Sequence, residues 1–417
     1  MSEWLTLPLG SLANFQKGRK VETSEHPREG FAPYLGASAI SGVIEEYGDT
    51  RIGVMSAPGD VLMLWDGERS GLVGKAQAGV ISSTVARLSP KTDAIGEYLY
   101  YVLDSKFEWI QGRRTGTGVP HVPKDLARIL SITYPKSKNE QRRIAEILST
   151  LDAAIDQTEA LIAKHQQIKA GLMHDLFTRG VTADGKLRPT REQAPDLYKE
   201  SPLGWIPKEW SLKTISAIAD SLVDGPFGSN LKSEHYVAEP GVRVVRLQNI
   251  QEGYYNDRDP VFVSQRHADY LMRNGVNPGD VLIAALGDES YPVGRACCYP
   301  PELPPAINKA DCFRLRCHPE GAINTYVMHF LNTAAARNQI KRFEQGVTRR
   351  RTNLGNLRRV IAALPSLDEQ KCIIQRLAVA GEQISTGELQ VEKLRQQKHG
   401  LMHDLLTGRV RVPITEQ

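Results

Sequence analysis

At 417 residues, 41% hydrophobic and a net charge of +4, the chain has the material for two to three globular domains and is neither disordered nor fibrous in composition. No run approaches the ~18–20 uninterrupted apolar residues of a membrane span, and the N-terminus lacks a basic-then-apolar signal layout. The expectation is therefore a cytoplasmic protein without a membrane partner. The cysteines (Cys297, Cys298, Cys312, Cys317 and Cys372) are odd in number and crowd one half of the chain. That is not a disulfide framework, and their spacing fits no paired zinc motif, so strand-lining thiols are expected rather than metal ligands.

In chain order, residues 1–138 read as a first globular unit. Strand-like runs stand at 60–65 (DVLMLW) and 79–88 (GVISSTVARL), a helix is predicted at Glu97–Leu103, and a closing strand lies within Arg128–Tyr134. A long helix over 139–178 follows. Residues 179–207 are polar and proline-spaced, which predicts an extended linker. A second globular unit is placed at 208–367, a second long helix at 368–407 and a short tail at 408–417.

The two long helices are copies. Glu140/Glu369, Gln141/Gln370, Ile144/Ile373, Leu148/Leu377 and Lys169/Lys398 match at an offset of 229, as does the unbroken run Gly171–Leu176 against Gly400–Leu405. Such identity in one register marks a tandem duplication. Apolar residues recur at three- and four-residue steps (Ile144, Leu148, Leu151, Ile155; Ile373, Leu377, Ala380, Ile384), which is a heptad seam. A helix of ~39 residues is ~58 Å long, more than a small domain can cover, so each copy should pair with the other in a coiled coil. The globular units repeat more loosely: Pro58–Leu62 matches Pro278–Leu282 at an offset of 220, and each unit closes on a glycine-containing basic loop. The expected fold class is α+β, ordered domain, helix, domain, helix.

Arg349, Arg350 and Arg351, with Thr348 before and Asn353 after, are the foremost candidates for contact with a polyanion, and the resemblance given below implies that this polyanion is DNA. Arginine pairs with guanine edges and asparagine with adenine edges; a solvated loop without a ligand is the bland alternative. The first unit offers Arg113, Arg114, Thr115, Thr117 and His121 as counterparts, with Lys17, Arg19 and Lys20 as phosphate contacts. Ser229, Asn230 and Lys232 follow a polar loop in the second unit. Arg243, Arg246, Gln248 and Asn249 suit either readout or a strand face. Lys75 and Arg295 hold equivalent positions, which suits phosphate contact or structure better than sequence choice. His174-Asp175 and His403-Asp404 sit at helix ends without a nucleophile, so docking or interhelix bonding is expected of them. No glycine-rich cofactor loop or phosphate-binding GxxxxGK[ST] is present, and catalysis by this chain is not expected.

These features together resemble the specificity subunits of type I restriction–modification systems, along the whole chain. The most specific pieces are the junctions Pro135…Glu140-Gln141 and Pro365…Glu369-Gln370, the helix ends GLMHDLFT and GLMHDLLTG, and the opening LGWIPKEWSLKTI. The resemblance implies two pseudo-two-fold-related target-recognition domains held apart by antiparallel coiled-coil helices. Each domain would read one half of a bipartite, gapped sequence in double-stranded DNA. It further implies two modification (methyltransferase) subunits docked on the frame, with restriction (nuclease/translocase) subunits as further partners. Candidates for the frame and its docking are Glu140, Gln141, Leu172, Met173, Leu176, Glu369, Gln370, Leu401, Met402 and Leu405. No cofactor is expected in this chain; S-adenosylmethionine would belong to the modification partner, which would flip the adenine. Two other classes compete: a coiled-coil adaptor that reads no DNA, and a methyltransferase or nuclease with unusual motifs.

Overall fold

The computed structural model describes residues 3–116, 118–226, 228–238 and 241–413. Two helices dominate, Lys138–Thr178 of 41 residues and Leu367–Leu406 of 40. A serine precedes each: Ser137 Oγ accepts the Glu140 N–H at 3.4 Å, and Ser366 Oγ accepts that of Glu369 at 3.3 Å. Ser-x-x-Glu is the spacing of a capping box, and the acidic first turns suit the positive end of the helix dipole. Each helix exits through a glycine in the left-handed region, Gly180 (φ 63°) and Gly408 (φ 73°).

The chain divides into two units, residues 1–161 with 386–417 and residues 162–385. Each long helix is thus shared, its halves belonging to different units, where the sequence predicted separate helical segments. In the first unit, Ile144 and Leu148 from one helix and Leu405 from the other enter a core with Leu9, Leu12, Tyr98 and Tyr101. In the second, Leu176 and Phe177 meet Ile373 and Leu377 in a core with Trp210, Phe313, Tyr326 and Phe330. The start of one helix therefore packs beside the end of the other in each unit, which makes the pairing antiparallel there. Charged pairs fix its register in the first unit: Lys398 to Asp152 and Arg395 to Glu159, both at 2.6 Å. Lys398, half-buried beside the apolar seam, finds this carboxylate.

The globular parts repeat strand for strand. In the first unit Trp4–Pro8 pairs antiparallel with Ser131–Pro135. A four-stranded sheet runs in the order Ala13–Lys17, Val85–Pro90, Val61–Leu64, Val73–Lys75. A five-stranded sheet contains Phe31–Leu35 parallel to Gly79–Ile81. The second unit repeats this with Ser211–Thr214 on Ile361–Leu364, with Ala219–Val223, Cys312–Cys317, Val281–Ala284 and Ala296–Cys298 in one sheet, and with Val242–Val245 parallel to Ala306–Asn308 in another.

Three expectations need amendment. The run 79–88 is two strands in different sheets, because the chain turns at Ser82–Thr84, where the two side-chain hydroxyls bond at 2.8 Å. The run 128–134 opens inside a short helix, Leu126–Ile129, before its strand. The segment 179–207 is not an extended linker. It holds the hairpin Tyr198–Ser201/Gly204–Pro207, buries Tyr198 and Ile206, and inserts Arg188 into an ion pair with Glu369. The predicted helix at 97–103 lies within Gly96–Asp104.

Candidate nucleic-acid interface

Each unit closes a seven-residue hairpin loop by a pair of backbone bonds. Thr115 and His121 exchange N–H···O bonds of 3.0 and 2.8 Å, and Gln345 and Arg351 exchange bonds of 2.9 and 2.8 Å. Gly116 (φ 106°) and Gly346 (φ 98°) follow the first closing residue in each, a conformation that a β-carbon would strain. These necks make Thr115 the equivalent of Gln345 and His121 the equivalent of Arg351. Arg113 and Arg114, expected as counterparts of the arginine run, lie before the loop. Thr117 lies outside the described residues.

In the first unit Asp66 gathers two of the candidates. Lys17 Nζ lies 2.8 Å from Oδ2, and His121 Nδ1 lies 2.7 Å from Oδ1. Arg114 donates to the main-chain oxygens of Gln111 (3.0 Å) and Glu68 (2.7 Å), so it supports the loop rather than projecting from it. Arg113 lies exposed over the Trp109 ring, 3.9 Å from its centroid. Arg19 and Lys20 are exposed just past the strand Ala13–Lys17.

In the second unit the arginine run is split by strand geometry. Arg350–Arg351 forms a short strand against Leu286–Gly287. Arg350 lies 3.7 Å from Glu289 and 3.9 Å from Glu344, and Arg351 lies 2.5 Å from Asp311. Thr348 and Arg349 are exposed at the loop tip. Asn353 is a helix cap, its side-chain oxygen accepting the Asn356 N–H at 2.8 Å, so the adenine contact predicted for it is replaced by a structural role. Asp224 and Gly225 approach the same place. Asp224 sits beside Asp311 and Arg351, and burial pushes its carboxyl above the ordinary range. Gly225 packs so close to the Lys309 carbonyl that a β-carbon there would meet it at 1.9 Å. Ser229 and Asn230 are exposed in a short 3-10 turn (Gly228–Asn230), where the Asn230 carbonyl meets His267 Nε2 at 2.8 Å. Lys232 lies 3.4 Å from Glu234.

Of the four residues with two expected readings, three have structural duties. Arg243 pairs with Asp257, Arg246 with Asp259, and Asn249 is buried, donating to the Asn256 carbonyl at 2.8 Å. Gln248 is exposed. Arg295 is 4% exposed and donates to the carbonyls of Ile250, Leu286, Tyr291 and Leu247, which decides for structure over phosphate contact. Lys75 reaches the Tyr101 hydroxyl at 3.2 Å, which bonds Asp152 at 2.6 Å.

Among the candidates for the frame and its docking, the Glu-Gln pairs hold the junctions from inside. Glu140 is 2% exposed and accepts the Trp4 indole N–H (3.2 Å) and Arg411 (3.3 Å). Glu369 accepts the Trp210 indole (3.3 Å), the Val181 N–H (2.9 Å) and Arg188. Gln141 bonds Ile95, Asp93 and Pro135, while Gln370 bonds Ile323 and Pro365. Leu176 and Leu405 are buried and the half-buried Leu172, Met173, Leu401 and Met402 pack against the same cores, so these side chains build the frame. Trp4 and Trp210 were missed. The repeated Glu-Trp at the start of each unit's opening strand region was the available signal. The helix-end pairs act locally, Asp175 with Arg179 and His403 with Arg409, rather than between helices. Among the described residues no cluster of three or more His, Cys, Asp or Glu is arranged to hold a metal. Burial pushes the Cys317 thiol up to about 12 and that of Cys298 up to about 11.

The family model described as the type I restriction modification DNA specificity domain matches residues 1–168. The chain is 25% identical to the type I restriction enzyme MjaVIII specificity subunit of Methanocaldococcus jannaschii, covering 98% of this chain and 93% of that one. It is 21% identical to the EcoBI specificity subunit of Escherichia coli, covering 99% and 87%. Its fold matches the crystal structure of a type I restriction–modification S subunit from M. genitalium, with a TM-score of 0.58, 16% identity and 99% and 97% coverage. A structure from work on assembly and conformational transition of the type I system matches with a TM-score of 0.55, 16% identity and 97% coverage of each chain. With its duplicated sheets and shared helices, the chain is similar along its whole length to specificity subunits of type I restriction–modification systems, and its first 168 residues match that family's DNA specificity domain.

Proposed function

We propose that this chain is the DNA-recognition subunit of a type I restriction–modification complex, without catalysis of its own. Each globular domain reads one half of a bipartite double-stranded target. Modification subunits, two per complex, bind the frame, bring S-adenosylmethionine and methylate adenine. Restriction subunits, where the system has them, join that assembly. The observation that carries this reading is the repetition of one sheet scaffold under two loops of different chemistry. The neck Thr115–His121 and the neck Gln345–Arg351 are built alike, yet one tip carries Gly118 and Val119 where the other carries Thr348 and Arg349. A shared scaffold with divergent tips suits two readers of unlike sequences, since base readout depends on side chains while positioning depends on the frame. The length of the paired helices sets the gap between half-sites.

The test is the adenine methylome of a host carrying the modification partner, sequenced with and without this chain. A gapped, two-part motif that vanishes on deletion is expected. An unchanged methylome with an active partner would overturn the proposal and favour an adaptor.

A further inference from the structure

In the second unit a cavity of about 450 Å³ opens between the turn at 247–251 and the turn at 286–292, with Arg349 at its rim. Its floor is fixed. Arg295 crosses beneath it and binds Leu247 and Ile250 in one wall and Leu286 and Tyr291 in the other, by bonds of 2.8–3.2 Å. A buried guanidinium held by carbonyls on both sides sets the width between the walls without occupying the opening.

The polar groups around the opening differ in how they are committed. Gln251 donates to the Gln248 carbonyl at 2.8 Å, Asn256 accepts the Arg258 N–H at 3.1 Å, and Asp288 accepts the N–H groups of Ser290 and Tyr291 at 2.9 and 2.8 Å. The Gln248 amide and the Arg349 guanidinium have no side-chain hydrogen bond or ion pair among the described residues. Tyr291 adds an exposed ring to the mouth. An amide that is exposed on a braced turn and has no partner among the described residues can offer one donor and one acceptor at a fixed place. Adenine presents the complementary pair, N7 and the N6 amino group, in the major groove.

We propose that Gln248 is a specificity-determining residue: its amide reads one adenine–thymine pair of the half-site assigned to the second domain, with Arg349 beside it on the same groove. This rests on the DNA-recognition reading above. Gln248 is exposed on its turn, so its replacement should leave the fold intact.

The experiment compares methylomes of hosts expressing the modification partner with the wild-type chain, Gln248→Ala or Gln248→Glu. The genome supplies every flanking sequence as probe. With wild type, one position of one half-site is adenine. Gln248→Ala makes that position degenerate, with discrimination falling about tenfold or more, and leaves the other half-site untouched. Gln248→Glu shifts it toward cytosine, whose N4 amino group a carboxylate accepts. Two results would overturn the assignment: a Gln248→Ala motif identical to wild type at every position, or a uniform fall in methylation with an unchanged consensus, which marks a phosphate or structural role. If wild type itself yields no gapped motif, the recognition reading fails rather than this assignment.

Discussion

Arg188 grips both carboxylate oxygens of Glu369, with Nη2 at 3.0 Å from Oε2, and the two side chains are only 8 and 9% exposed. A charge pair withdrawn this far from water is costly to break, because the survivor is left buried and unpaired. Glu369→Ala should therefore destabilise the second unit by about 3–5 kcal/mol, seen as a lower urea midpoint. Replacing both partners, with Arg188→Met and Glu369→Leu, should recover only part of that, since the Trp210 indole and the Val181 N–H also lose their acceptor. An unshifted midpoint for Glu369→Ala would mean that the pair contributes nothing.

His329 provides a pH dependence. Burial, with Lys169 beside it, holds its imidazole down at about 4, against an ordinary 6.5. Between those values the unfolded chain binds the proton and the folded chain does not, so stability falls as pH drops from about 6.5 to 4 and is retained above. The contribution is about 3 kcal/mol at most. Carboxylates add their own acid sensitivity, so the comparison to make is with His329→Gln, whose urea midpoint should fall less over that range. Parallel curves for the two proteins would refute the assignment.

Asp66 shields one charge and orients another. In Asp66→Asn, Lys17 and His121 lose their shared carboxylate, and the pair is half-exposed enough that stability should change by no more than ~1 kcal/mol. Binding should change in character: affinity for unrelated duplex rises with the unmasked lysine, while preference for the first domain's half-site falls. Competition binding of the assembled complex measures both. A proportional change on target and non-target DNA would show that Asp66 has no part in orienting the loop.

Arg349 is the loop-tip cation of the second unit. Arg349→Glu should leave the melting temperature unchanged, weaken DNA binding, and reduce the slope of log affinity against log salt by about 1 if the contact is to phosphate. An unaltered salt slope together with a changed consensus would instead assign it to a base.

The gap length offers a geometric check. Matched heptads inserted into both long helices, between Asp152 and Glu159 and between Arg395 and Lys398, add about 10 Å, or about three base pairs. The methylated motif should keep both half-sites and gain that spacing. A motif with its original gap would separate helix length from target spacing.

How much of this was legible beforehand depends on what kind of signal each feature leaves. The long helices were readable because periodicity and self-identity survive in side-chain type: Ile144, Leu148, Ile373 and Leu377 repeat and are buried. The serine caps were readable too, as Ser137-x-x-Glu140 and Ser366-x-x-Glu369, and the Glu-Gln pair, expected to serve the frame or its docking, builds the frame from the inside. The loop equivalence left no such trace, since Thr115/Gln345 and His121/Arg351 share backbone bonds and no chemistry. The segment 179–207 misled for the opposite reason: its prolines resemble those of a linker, while Arg188, Tyr198 and Ile206 anchor it through contacts far away in sequence.

The manner in which Arg295 is held has a consequence for how such a protein changes over generations. Its acceptors are main-chain oxygens, which no point mutation can delete, so the socket beneath the cavity survives almost any exchange of the side chains around its mouth. Gln248, Tyr291 and Arg349 can drift without a folding penalty to restrain them. New target preferences then arise by single substitutions on an unchanged foundation, and a lineage can acquire a different DNA address without first repairing its protein.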